Sequence, residues 1–101
     1  MRVNFDEIET GSPNRGGGNM YYYKDEPFTG LIEEYNENGV LIAELTVKNG
    51  NVHGRSANYY NSGQIMDEKY IAYNRPYGFY REWDESGNLI EEIDFGPEHT
   101  P

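Results

Sequence analysis

The sequence repeats itself every 24 residues over most of its length. In each copy a glycine precedes a short strand that ends on an aromatic residue, and a second glycine ends the turn that follows. The matching columns are Gly30, Gly54 and Gly78; Tyr35, Tyr59 and Trp83; and Gly39, Gly63 and Gly87. Agreement of several columns at one spacing indicates a repeat architecture, and this decides the fold before local propensity does.

Each copy has the residue pattern of a β-hairpin. Asn38-Gly39 and Ser62-Gly63 supply residues that tolerate positive φ in a tight turn, and β-branched and aromatic residues flank them. A helix over 88–95 is the competing interpretation, but the matching positions in the other copies favour a strand. The predicted strands are 31–35, 40–47, 55–60, 64–71, 79–83 and 88–95. The sequence therefore predicts an all-β fold of tandem 24-residue hairpins that form one continuous twisted antiparallel sheet.

The length of 101 residues predicts a single domain, 1–101. We expect an N-terminal cap that ends in a flexible Gly-rich loop over 11–19, followed by a partial repeat and a connection. A tyrosine run follows this loop instead of a helix, which disfavours a phosphate-binding loop. The predicted segments are 1–19 for the cap and loop, 20–29 for the partial repeat, 30–53, 54–77 and 78–95 for the hairpins, and 96–101 for the tail.

The charge balance limits the classes of partner. Eighteen acidic against eight basic residues give a net charge of −10, which disfavours nucleic acid and anionic membranes. It favours a basic protein partner, although acidity also simply keeps a protein soluble. The chain contains no cysteine, no signal-like apolar run at its start and no stretch long enough to span a membrane as a helix. We expect a cytoplasmic location.

Catalytic chemistry has no signature in this sequence. The two histidines, His53 and His99, are far apart, and His53 fits a turn residue better than a metal ligand. Adjacent acids such as Glu33 and Glu34 point to opposite faces of a strand, so they do not form a glycosidase pair. We therefore expect a protein that is not an enzyme and that has no cofactor and no metal.

Alternation along each predicted strand assigns side chains to two faces. It places Leu31, Tyr35, Leu41 and Val47, with their counterparts, on a mainly apolar face. It places the glutamate row that begins at Glu44 on the opposite face, beside Glu34. Tyrosines next to charge are typical interface anchors, whereas the alternative reading is ordinary surface glutamate. The predicted partner-binding residues are Glu34, Glu44, Tyr60, Glu68, Tyr70, Tyr80, Glu82 and Glu92.

The repeat resembles the MORN-repeat variant family, in particular bacterial antitoxin components, many of which are immunity proteins for polymorphic toxins. The resemblance covers about 21–95 and rests on the entry segment 21–30, the junction 49–54 and the turn 59–63. The chain departs from the pattern at Glu26 and Asn74, which occupy the Gly50 column, and at Arg75-Pro76.

The resemblance implies an immunity protein that binds and neutralises the C-terminal domain of a cognate toxin. The acidity suggests that this toxin has a basic active-site groove, as a nuclease has. We expect a monomer or a weak homodimer. The alternative is a structural or scaffolding module that joins other proteins.

Overall fold

A computed structural model describes residues 1–13 and 19–98, and of residues 12, 13 and 19 it describes the backbone. The prediction of an all-β fold is confirmed, since the described segments form ten strands and one 3₁₀ turn, Phe5–Glu7, without an α-helix. The strands are β1 Arg2–Asn4, β2 Glu9–Pro13, β3 Asn19–Tyr23, β4 Glu26–Pro27, β5 Gly30–Tyr35, β6 Leu41–Lys48, β7 Asn51–Tyr59, β8 Ile65–Ala72, β9 Arg75–Trp83 and β10 Leu89–Asp94.

The strands form two sheets. Seven strands form the large sheet, in the order β1-β5-β6-β7-β8-β9-β10, and β2, β3 and β4 form a small one. The prediction of one continuous antiparallel sheet is therefore wrong at the N-terminal end, because β1 pairs parallel with β5. The chain passes through the small sheet between these strands, and parallel pairing requires such a crossover. Residues 20–23 lie in β3 of the small sheet, and residues 14–18 of the predicted loop lie outside the described part.

Three hairpins, β5–β6, β7–β8 and β9–β10, pair with the same offset. Glu33 pairs with Glu44, Ala57 with Glu68, and Arg81 with Glu92. Each hairpin also has a bulge at the same place beside its turn, where one residue of the second strand has no partner. These extra residues are Ile42, Met66 and Ile90.

The connections between hairpins are tighter than the sequence suggested. Asn49 and Gly50 have φ of 50° and 84°, and Tyr73 and Asn74 have φ of 52° and 63°. Positive φ at both central residues is the geometry of a two-residue hairpin turn. Strands β7 and β9 therefore begin at 51 and 75 instead of the predicted 55 and 79.

The core lies at the N-terminal end of the large sheet. Val3, Phe28, Ile32 and Val47 form a buried cluster, and partly buried side chains of the small sheet, such as Tyr21, pack against it. At the opposite end, five large apolar side chains are exposed, namely Phe79, Leu89, Ile90, Ile93 and Phe95. The sheet is therefore covered by its own chain at one end and open at the other.

Candidate partner-binding face

The bulge in each hairpin decides which side chains share a face. Beyond Ile42 the extra residue reverses the alternation, so Glu44 lies opposite Glu33 instead of on the side of Glu34. The predicted grouping of Glu44 with Glu34 is therefore wrong. The predicted apolar face is also divided, because Leu41 pairs with Tyr35 whereas Val47 pairs with Gly30 on the other side.

One face carries alternating acids and arginines, which we call the ion-pair ladder. Arg55 contacts Glu44 and Glu68, each with N–O distances of 3.1 Å. Arg81 then joins Glu68 at 3.6 Å to Glu92 at 2.8 Å. The ladder runs from β6, the second strand of the first hairpin, across the second and third hairpins to β10. Arg2 of β1 pairs with Glu33 at 3.6 Å on the same face.

The ladder is partly shielded from water. The side chains of Glu44 and Glu68 are 18% and 14% exposed, and that of Glu92 is 42% exposed. Burial alone would lower the pKa of Arg55, but hydrogen bonds with Tyr59, Glu44 and Glu68 outweigh it and raise that pKa. Burial and a hydrogen bond to Glu44 raise the pKa of Tyr59. The three glutamates of the predicted row, Glu44, Glu68 and Glu92, are thus each paired within the chain with one or both of two arginines.

The other face carries a row of acids that the chain does not neutralise. Asp67 pairs with Glu82, and Glu82 pairs with Glu91, so three carboxylates lie side by side on adjacent strands. In the described part of the chain, none of the three forms an ion pair, although Lys69 lies on the same face. Like charges directly opposite in a sheet destabilise it. We call this surface the acidic face.

Two tyrosines flank the acidic face. The Tyr80 hydroxyl donates to Glu82 at 2.8 Å. This hydrogen bond, then burial and then the charges of Glu82, Asp67 and Glu91 raise the pKa of Tyr80 to about 12. The Tyr60 hydroxyl donates to the backbone oxygen of Trp83 at 2.7 Å, and burial followed by nearby carboxylates raises its pKa.

Tyr60 occupies a position where the other two turns have a capping side chain. In the first turn, Asn36 Oδ1 accepts from the N–H of Val40 at 3.0 Å, and in the third, Asp84 Oδ1 accepts from the N–H of Asn88 at 3.0 Å. A tyrosine lacks a short side-chain acceptor, and in the second turn the N–H of Gln64 donates to Ser62 Oγ at 3.4 Å instead. Tyr60 instead reaches across to the third hairpin. Departures from local rules of this kind concentrate at functional sites.

The predicted site residues are thus divided between the two faces. Glu44, Glu68, Tyr70 and Glu92 lie on the ladder side, and Glu34, Tyr80 and Glu82 lie on the acidic side. Tyr60 follows β7, near the carboxylates of the acidic side. The predicted set of partner-binding residues did not include Asp67 and Glu91. These two acids are also 24 residues apart, and they directly precede the predicted Glu68 and Glu92.

The acidic face continues into a groove of about 460 Å³ beside the small sheet. The residues that line it include Tyr21, Ile32, Leu45, Ser56, Asn58 and Lys69.

In the described part of the chain, no three His, Cys, Asp or Glu residues are arranged to hold a metal ion. No described helix has the length and hydropathy needed to cross a membrane.

The sequence matches no protein-family model, and no curated protein and no solved structure matches it. The structure itself shows an all-β chain. One face of its large sheet carries a row of carboxylates that form no ion pair in the described residues, and two tyrosines flank this row.

Proposed function

We propose that this chain is an immunity protein of the MORN-like repeat kind, which binds a toxin domain in the cytoplasm and blocks its active-site groove. The repeat assignment is supported by the shared offset of the three hairpins and by their common bulge position. Extended repeat sheets offer broad surfaces for binding other proteins.

The observation that carries this proposal is the carboxylate row Asp67, Glu82 and Glu91. Cross-strand repulsion makes such a row unfavourable for the isolated sheet, whereas the ladder on the reverse side pairs its glutamates with arginines. A basic partner surface would neutralise the carboxylate row on binding. Electrostatic attraction would also draw that partner to the row over a long range. Tyr60 and Tyr80 supply the aromatic contacts that commonly anchor such interfaces.

A toxin that acts on nucleic acid has the required basic groove. Covering that groove with an acidic face excludes the substrate without any chemical step by the inhibitor. The proposed partner is therefore the C-terminal domain of a toxin encoded next to this chain.

The experiment compares two triple variants with the same change in net charge. Asp67→Lys, Glu82→Lys and Glu91→Lys reverse the acidic face. Glu9→Lys, Glu26→Lys and Glu37→Lys, all at exposed positions, serve as the control. Binding to the toxin domain is measured by calorimetry, and inhibition is measured by the toxin's own activity.

We expect the acidic-face variant to lose at least 100-fold in affinity and to stop inhibiting, while the control loses less than ten-fold. Equal losses in both variants would mean that only net charge matters, and would refute the assigned face. Binding without inhibition by the unmodified chain would instead favour the scaffolding module.

A further inference from the structure

Among the described residues, the large sheet has two edge strands, β1 and β10, and the outer side of each is unpaired. The edge strand β1 has three residues and lies parallel to β5, whereas β10 has six residues and lies antiparallel to β9. The edge at β10 is therefore the longer of the two. Unpaired edges are templates for another strand unless the protein protects them.

The backbone hydrogen bonds define which amides of β10 point outward. The N–H of Phe95 donates to the oxygen of Gly78 on β9 at 2.8 Å. Backbone groups alternate in direction along an antiparallel strand, and the pairing of 91–94 with β9 is regular. The N–H and C=O groups of Glu92 and Asp94 therefore point away from β9, toward the open edge.

The ladder is incomplete at this edge. Glu68 lies between two arginines, Arg55 and Arg81, and its side chain is 14% exposed. Glu92 contacts Arg81 on one side only, and its side chain is 42% exposed. A further strand beside β10 would place a basic side chain where Glu92 lacks its second partner.

The composition of β10 argues against a second copy of this chain as the occupant. Three of its six residues are acidic, namely Glu91, Glu92 and Asp94, so two β10 strands would bring like charges together. The remaining residues include Ile90 and Ile93, which are 54% and 40% exposed. From Glu92 to Phe95, acidic and apolar residues alternate along the chain.

We propose that β10 binds an extended segment of another protein that alternates arginine or lysine with apolar residues. The segment adds a strand to the sheet through the outward groups of Glu92 and Asp94. Its basic side chains continue the ladder beside Glu92 and Asp94, and an apolar side chain packs beside Ile93. This inference rests on the proposed function in one respect, because it assigns the segment to the same basic partner.

The test uses a short synthetic peptide that alternates arginine with valine. We expect saturable binding, with slowed hydrogen exchange at the amides of Glu92 and Asp94. The amides of Ile93 and Phe95 face β9 and should already be protected. A peptide of the same composition with its arginines grouped at one end, and a peptide that alternates glutamate with valine, should each bind at least ten-fold more weakly.

A pair of variants separates the backbone contribution from the charge. Asp94→Ala and Asp94→Pro both remove the carboxylate, but only proline removes the outward N–H. We expect Asp94→Pro to bind the alternating peptide about ten-fold more weakly than Asp94→Ala.

Three results would overturn the inference. They are the absence of saturable binding, binding that leaves the amides of Glu92 and Asp94 unprotected, and self-association that protects these amides without peptide. The acidic-face triple variant distinguishes the two proposals. If the peptide does not bind at β10 and the toxin domain still binds through Asp67, Glu82 and Glu91, then the inference about β10 is refuted and the proposed function is not.

Discussion

The two faces of the large sheet treat their carboxylates in opposite ways. On the ladder side, Glu68 is held between two arginines and is largely shielded from water. On the acidic side, Glu82 lies between Asp67 and Glu91 and has a tyrosine hydroxyl as its partner. Glutamates of the same sheet are thus paired with arginines on one face and lie beside other carboxylates on the other.

This difference shows that net charge alone does not tell which carboxylates of a sheet form ion pairs within the chain. The ladder contains the most regular acidic repeat, and its three carboxylates contact two arginines. The less regular row, which begins only at the second hairpin, forms no ion pair in the described part of the chain.

Removing a ladder charge should destabilise the fold. Glu68→Gln leaves Arg55 and Arg81 without their shared, shielded carboxylate, which should lower the free energy of unfolding by about 2 kcal/mol. Urea denaturation measures this change. The matched control is Glu82→Gln, which should change stability by less than about 0.5 kcal/mol. Similar losses of stability in both variants would show that carboxylates of the two faces contribute equally to the free energy of unfolding, which would contradict the prediction.

Reversing a charge on the acidic face should raise the free energy of unfolding, whereas removing a ladder charge lowers it. Glu82→Lys replaces two repulsive cross-strand pairs, with Asp67 and Glu91, by attractive ones. The free energy of unfolding should rise by about 0.5 kcal/mol at low salt, and the gain should shrink as salt is added. Thermal denaturation at two salt concentrations measures it. A decrease in stability would contradict this prediction, because the lost hydrogen bond from Tyr80 to Glu82 would then outweigh the relief of repulsion.

Tyr80 should report the acidic face directly. Its pKa is raised to about 12, first by the hydrogen bond to Glu82. Because the folded-state pKa is raised, the contribution of neutral Tyr80 to stability is complete below pH 10, its ordinary pKa, and is lost as the pH rises through about 12. Ultraviolet titration of Glu82→Gln should show one tyrosine that ionises at lower pH than in the unmodified chain. An unchanged titration would show that Glu82 does not raise the pKa of Tyr80.

The smallest effect concerns the third turn. Hydrogen bonds from the N–H groups of Asn88 and Ser86, with the Asn88 side chain, lower the pKa of Asp84 below 3.8. Because the folded-state pKa is lowered, this contribution is present above pH 3.8 and is lost as the pH falls through the folded-state value. Asp84→Asn, which copies Asn36 of the first turn, should reduce the acid sensitivity of this turn with little change at neutral pH. Chemical shifts of Gly87 during an acid titration measure it.

The all-β class and the six strands of the three hairpins could be predicted because turn residues and the 24-residue spacing can be read directly from the sequence. Asn49-Gly50 is a recognisable sequence for a two-residue turn, whereas Tyr73-Asn74 forms the same turn with an unusual first residue. The parallel pairing of β1 could not be predicted, since it depends on contacts distant in sequence.

The site was predicted only in part, and a single residue per hairpin explains why. Alternation holds along a regular strand, but the bulge at Ile42 reverses it for every residue that follows. The consecutive apolar residues Leu41-Ile42 break the alternation and were the available signal. Charge pairing across strands depends on this register, so the sequence did not distinguish the ladder from the acidic face.

The most direct test of the central claim measures stability and binding on one protein. The variant Asp67→Asn, Glu82→Gln and Glu91→Gln removes three charges and keeps the acceptor oxygens that Asn58 and Tyr80 use. We predict that this variant unfolds at the same or a higher urea concentration than the unmodified chain and binds the toxin domain at least ten-fold more weakly. A variant that loses stability, or that binds the toxin domain as tightly as before, would contradict the account.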